Sequence, residues 1–450
     1  MTALIAHPAR TFVLLLLLPV LALTVPAQEV VIRKGTHFRV HCHFPDERAA
    51  KEALEIVEAT WKPTVRVFGK KPPAGLIDVY VLRHASDYLE HEKEVAGRRF
   101  GTSLACVTEQ GRVCYLAIQP EMDDQLFAQV GLTALTRRNL AEGAARALIR
   151  RLCKAPGALP AWIEDGAAVG IAQAVLEGKG FSPGWLKDPH TGTLLSICLD
   201  LLDGKKLPAV GRILKGELGK TDVFTVRSLH TVFFRFMSEK ERVKTLRRML
   251  ARARSLKNAT GAAEKIIKAG GKLLASGGFS HDFRSYIRSL EPVWTQYYPD
   301  LDCSGEDWLQ VAEKETNAVA WHVEPVDRND YVIAGRFRIL SSKGRQLNIL
   351  FGKTPLGFYS VAIVAGEGFG IMKFDAESSE WSTVAWRETS AIATGVALAF
   401  ELRVDGEDVT IAIEGHEPLS TRLRGADLTL HWGLGAQAGS GGIWSGVTLK

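Results

Sequence analysis

Two short stretches hold the residues best placed to do chemistry. Residues 139–152 read NLAEGAARALIRRL, a run with the period of a buried helix and a single acid, Glu142, among alanines. Residues 159–170 read LPAWIEDGAAVG, which adds Asp165 on a second helical run. On a helix, a carboxylate four residues ahead of a cation favours an ion pair worth a few tenths of a kcal/mol. Glu142 is therefore expected to face Arg146. Two further readings of Glu142 stay open: a residual acid–base group, and a member of a rearranged metal site.

Histidines supply a second constellation. His37, His41 and His43 recur at even spacing, so on a strand they share one face, with Cys42 between the last two on the other. Alternate strand positions can converge on a metal, and the other reading is a partly exposed strand face. His84, His91 and His230 are scattered without ligand spacing. The chain has no phosphate-binding glycine loop and no CxxC pair, which argues against the corresponding nucleotide-binding and redox classes.

The elements that must position these groups follow from periodicity. HFRVHCHF alternates as a strand, DERAAKEALEIVEATWKPTVRVFG has helical period up to Gly69, and GLIDVYVLR and GRVCYLAI read as further strands. From there to about residue 300 nearly every segment is helical, including VRSLHTVFFRFM and HDFRSYIRSLEPVWTQYY. YPDLDCSGED then marks a boundary. Beyond it come alternating, glycine-rich segments, among them the hairpin FELRVDGEDVTIAIEG, turned by Asp405, Gly406 and Glu407. The expected fold is an α+β domain, a small sheet plus a helical block, followed by an all-β jelly-roll sandwich. The division runs 1–27, 28–300 and 305–450.

Composition limits the setting. His7 and Arg10 precede the apolar TFVLLLLLPVLALTV, and VPAQ supplies Val25 and Ala27 as small residues before a cut, the pattern of a secretory signal over residues 1–27. The run is too short for a permanent membrane span, so a secreted, periplasmic or cell-envelope location is expected. Cys106 and Cys114 flank the turn-like VTEQGRV and are the pair placed for a hairpin bridge, and Cys42, Cys153, Cys198 and Cys303 read as isolated buried thiols. Residues 238–272 carry eleven Lys and Arg against three Glu within a chain of formal charge +6. That stretch lacks the interleaved aromatics of a nucleic-acid platform, so it reads as a solvated helix face and no nucleic-acid partner is expected.

Residues 36–300 resemble the gluzincin-type, HExxH zinc-peptidase-like domains of exported bacterial proteins. Such domains carry an HExxH helix followed by LPxWLxEGLAEY, and this chain has AEGAA at Ala141–Ala145 and then LPAWIEDGAAVG. The resemblance places the two histidine ligands at Ala141 and Ala145, the catalytic acid at Glu142 and the third ligand at Asp165, twenty residues after Ala145. An alanine has no lone pair, so one carboxylate stands where zinc needs three protein ligands. The resemblance thus implies the fold without its metal or its activity, and no cofactor is expected.

Residues 305–450 resemble the concanavalin-like lectin and glucanase superfamily (laminin-G-like) through DYVIAGRFRI and the closing GLGAQAGSGGIWSGVTLK. That likeness implies a glycan-binding or adhesive module with a polysaccharide or cell-envelope component as partner. Trp381, Trp386 and Arg387 in EWSTVAWRE, and Trp444, are the candidate sugar contacts; packing of the same rings in the core is the other reading. Trp381 and Trp386 are five apart and would point to opposite faces of a regular strand unless a bulge in STVA intervenes. No strand carries the paired carboxylates of a glycosidase. The expectation is a secreted, non-catalytic pseudo-peptidase-like protein with a glycan-binding sandwich. Its rival is a hydrolase, acting through the sandwich or through a peptidase-like domain with non-standard ligands.

Overall fold

The computed structural model describes residues 30–82, 105–109, 112–118, 124–154, 159–176, 189–258, 260–276, 278–296, 301–303, 306–312, 314–326, 328–429 and 431–450. The signal-like residues 1–27, His84 and His91 lie outside the described residues. Among the described residues no helix is long and apolar enough to cross a membrane.

The chain begins with β1 (Val31–Lys34), β2 (Phe38–Cys42), α1 (Glu47–Ala59), α2 (Trp61–Phe68), β3 (Ile77–Leu82), β4 (Ala105–Glu109) and β5 (Arg112–Ile118). Asp46 starts α1 by accepting the Ala49 N–H, and Gly69, at φ +65°, ends α2. The five strands form one sheet in the order β1-β2-β3-β5-β4, parallel across β2-β3-β5 and antiparallel at both edges. Phe38, Val40 and Cys42 face a core shared with α1, and burial pushes the Cys42 thiol up to about 12. Cys106 is in register with Tyr115, and Cys114 with Val107. The side chains of the expected Cys106–Cys114 bridge lie outside the described residues.

Ten helices follow among the described residues: α3 (Asp124–Val130), α4 (Ala134–Leu152), α5 (Ala161–Leu176), α6 (Pro189–Asp203), α7 (Val210–Lys215), α8 (Val223–Ser238), α9 (Val243–Ser255), α10 (Ala262–Gly270), α11 (Lys272–Ala275) and α12 (Phe279–Arg288), of which α11 is a single turn. Thr133 caps α4 and Asp222 caps α8 through side-chain bonds to Thr136 and Thr225. Helices α4, α5 and α8 pack closely, and Gly166 permits it: a β-carbon there would meet Phe234 Cβ at 2.1 Å and the His230 carbonyl at 2.7 Å. Trp162, Phe233 and Phe236 fill the core beside them.

The rest of the chain is a β-sandwich. Its strands are β6 (Trp294–Gln296), β7 (Leu301–Asp302), β8 (Asp307–Val311), β9 (Ala318–His322), β10 (Asp330–Ile339), β11 (Gln346–Thr354), β12 (Gly357–Val364), β13 (Gly368–Asp375), β14 (Glu380–Glu388), β15 (Ala397–Asp405), β16 (Asp408–Ile413), β17 (Leu419–Arg422), β18 (Gly433–Ala436) and β19 (Gly441–Leu449). Two seven-stranded sheets face each other, the back sheet β17-β16-β15-β10-β19-β8-β7 and the front sheet β14-β13-β12-β11-β18-β9-β6. Alternate residues such as Ile333, Phe337, Ile349, Val361 and Ile411 meet between them. Within these sheets β6 pairs with β9 and β7 with β8, so both short strands belong to the sandwich. The helical block rests against it: a β-carbon on Gly192 of α6 would lie 2.0 Å from the Trp294 carbonyl, and Gln129 of α3 exchanges hydrogen bonds with the backbone of Ser341.

Candidate functional site

Glu142 sits on α4 with no exposed surface. The expected bond to Arg146 is not made. Arg227, from α8, donates Nη2 to both carboxylate oxygens at 2.6 Å, and the same nitrogen lies 3.4 Å from His190 Nε2 on α6. Arg146 instead bonds Asp165 on α5, with Glu164 at 3.7 Å. Asp165 also accepts from His230 Nδ1 at 2.6 Å, and Arg150 donates Nε to Glu164 at 2.9 Å. The helical period of α4 allowed the Glu142–Arg146 pair, but α8 brings a long cation to the buried side, where desolvation makes the partner obligatory.

Each acid on this three-helix surface has a guanidinium beside it. Burial opposes ionisation of Asp165, yet Arg146 and His230 more than offset it and hold its carboxyl well below the usual range. Burial likewise opposes the charge on Arg146, and Asp165, Glu164 and Glu142 together raise its pKa. Burial, with Arg138 and Arg227 nearby, keeps His190 neutral far below its ordinary value. His230 Nε2, Arg146 Nε and Arg227 Nε are enclosed without hydrogen-bond partners.

A zinc ion does not fit these residues. Ala141 and Ala145 are wholly buried and offer no donor atom, and both remaining carboxylates are engaged by cations. Among the described residues no three His, Cys, Asp or Glu side chains gather as a metal would require. The N-terminal histidines have other partners: His37 stacks on Trp61 at 3.5 Å between ring centres, His41 Nε2 lies 2.9 Å from Asp78 and stacks on Tyr80, and His43 tilts against Tyr80. Burial opposes ionisation of Asp78, but Arg39 and His41 hold its carboxyl below the ordinary range.

The second candidate site is the front sheet's outer face. Along β13 and β14 the register runs Phe374–Trp381, Lys373–Ser382, Met372–Thr383, then Ile371–Ala385 and Gly370–Trp386, so Val384 is an extra residue. This bulge falls within STVA and restores phase. Trp381 and Trp386 pair with positions four apart on β13 and share the outer face. Phe374 and Phe358 lie in the same row as Trp381, and the rings continue to Trp321 on β9, with centre-to-centre distances of 5.1, 5.0 and 5.2 Å. Lys353 Nζ stands 4.8 Å from the Trp321 ring centre, and partial burial lowers its pKa.

Glycines make the floor on which these rings lie. A β-carbon on Gly433 would approach the Trp321 ring within 3.1 Å, and one on Gly370 would approach Trp386 within 2.5 Å. Between them, Gly435, Asn348, Ala362 and Gly370 form one cross-strand row. Asn348 Oδ1 accepts from Gln346 and Ser360, which leaves its Nδ2 donors toward the face. Trp381 is 45% exposed, while Trp321, Phe358, Phe374 and Trp386 are half-buried.

Two sequence candidates lie elsewhere. Trp444 is a core residue without exposed surface, its Nε1 bonded to Gln310 at 2.9 Å, because β19 is a central strand of the back sheet and points this residue inward. Arg387 follows Trp386 and so takes the opposite phase, where it donates to Glu417 at 2.7 Å and to the Pro418 carbonyl, tying β14 to the loop before β17. Trp321, Phe358, Phe374 and Asn348 escaped the sequence reading; isolated glycines within strands, which mark close approach of another group, were the available signal.

No model of a known protein family matches the chain, and no curated protein sequence matches it. Among solved structures, the carbohydrate binding module CBM66 from Bacillus subtilis matches with TM-score 0.31 and 12% identity over 35% of this chain and 95% of that one. The exoplasmic/lumenal domain of VIP36 matches with TM-score 0.28 and 9% identity over 35% and 83%. A congerin II double mutant matches with TM-score 0.24 and 11% identity over 28% and 94%.

Proposed function

We propose that this chain is an exported, non-catalytic protein that holds a polysaccharide on the outer face of its front sheet. The observation that carries the reading is the band Trp321–Phe358–Phe374–Trp381 with Trp386 beside it, all on one face. Sugar rings present apolar C–H faces that stack on aromatics and hydroxyls that need directed polar groups. The band offers the first, and Asn348, Gln346 and Lys353 offer the second.

The helical block belongs to the same reading as a peptidase-like scaffold of gluzincin type that has lost its metal. Support comes from the AEGAA and LPAWIEDG positions on α4 and α5 and from guanidinium groups neutralising the acids that remain. Residues 1–27 serve as the export signal, and residues 28–293 and 294–450 form the two domains.

Affinity electrophoresis of the mature chain through gels containing different neutral and acidic polysaccharides tests the proposal. At least one polysaccharide should retard the wild type, and Trp386→Ala and Trp321→Ala should restore free migration while keeping the wild-type far-ultraviolet spectrum. Unretarded wild type throughout the panel contradicts it.

A further inference from the structure

A cavity of about 410 Å³ lies between α3 and the outer face of the back sheet, on the opposite side of the sandwich from the aromatic band. Its volume falls within the range of small-molecule sites. Leu309, Ile443 and Arg338 form one cross-strand row of its floor, Leu340 extends the floor, and Val130 of α3 closes one wall. Gln129, also in the wall, is held by Ser341, so α3 is anchored where it overhangs the sheet.

Two charges of opposite sign border this apolar floor. Asp307 lines the cavity from β8, two residues before Leu309, and Arg338 lines it from β10, two strands away. With strands about 4.8 Å apart and about 3.4 Å per residue, their backbone positions are roughly 12 Å apart. Among the described residues neither side chain has an ion-pair or hydrogen-bond partner, in contrast to neighbouring Arg336, which pairs with Glu414 at 3.4 Å.

We infer that this cavity binds a small zwitterionic molecule with an apolar middle, of the chemical class of short apolar peptides with free termini. Arg338 takes the carboxylate in a forked contact, Asp307 takes the ammonium, and Leu309, Leu340, Ile443 and Val130 enclose the apolar part. A free amino acid would be too short to reach both charges, because its ammonium and carboxylate share one carbon.

Calorimetric titration of the full mature chain with trileucine, and with the same peptide acetylated and amidated at its ends, tests the inference. Free trileucine should bind, and capping both ends should weaken it at least about tenfold, the scale of losing a charge-assisted hydrogen bond. Arg338→Gln and Asp307→Asn should each weaken the free peptide by a similar factor while leaving the melting temperature and polysaccharide retardation unchanged. Absence of heat with trileucine, equal binding of the capped peptide, or undiminished binding by both variants overturns the inference.

Discussion

Arg227 on α8 donates one guanidinium nitrogen to both carboxylate oxygens of Glu142 on α4, at 2.6 Å each, across 85 residues of sequence. Glu142 is wholly enclosed and the Arg227 side chain is 17% exposed. Removing one partner strands the other charge, which in buried pairs costs about 3–5 kcal/mol. Glu142→Ala and Arg227→Met should each lower stability on that scale in urea melts. The double variant Glu142→Ala with Arg227→Met should lose clearly less than the sum of the two single losses. Additive losses would show that the pair is not coupled.

The same pairing governs the response to metal chelators. Dialysis against a chelator should leave the unfolding midpoint unchanged, and metal analysis of the purified chain should find zinc far below one per molecule. A single tightly held zinc whose removal lowers the midpoint contradicts the reading of α4 and α5.

Acid should weaken the helical block in two stages. His190 has a folded pKa far below its ordinary value of 6.5. Between those values the unfolded chain binds a proton that the folded chain does not, so stability is full above pH 6.5 and falls as pH drops below it. Asp165 has a depressed carboxyl, so its contribution is lost only further down, below the ordinary carboxylate range. Urea midpoints at pH 7.5 and 5.5 should fall more for the wild type than for His190→Gln. Equal falls in the two proteins would remove His190 from the account.

Much of this was legible in the sequence, and the failures have physical causes. Period and turn chemistry placed the α4 and α5 helices, the alternating strands and the β15–β16 hairpin, because those signals are local. The partner of Glu142 was missed because helical spacing sees only neighbours along one helix, whereas Arg227 arrives from another. Strands β6 and β7 are three and two residues long, too short to show alternation in the sequence. The shared face of Trp381 and Trp386 hung on one bulged residue, Val384, whose presence is set by pairing with β13.

Tryptophans on the two sides of that outcome should behave differently. Trp444→Ala empties a core position and should cost about 3–5 kcal/mol. Trp381→Ala removes a partly exposed ring and should cost about 1 kcal/mol or less, the scale of an aromatic pair. Comparable losses in thermal melts would place Trp381 in the core as well.

The location of binding is tested most directly by amide hydrogen exchange of the mature chain with and without the polysaccharide that retards it most. Exchange should slow in β9, in β12 to β14 and at Asn348, with α4, α5 and α8 unchanged. Protection confined to the helical block, with the front sheet unaffected, would contradict the assignment of binding to the aromatic face.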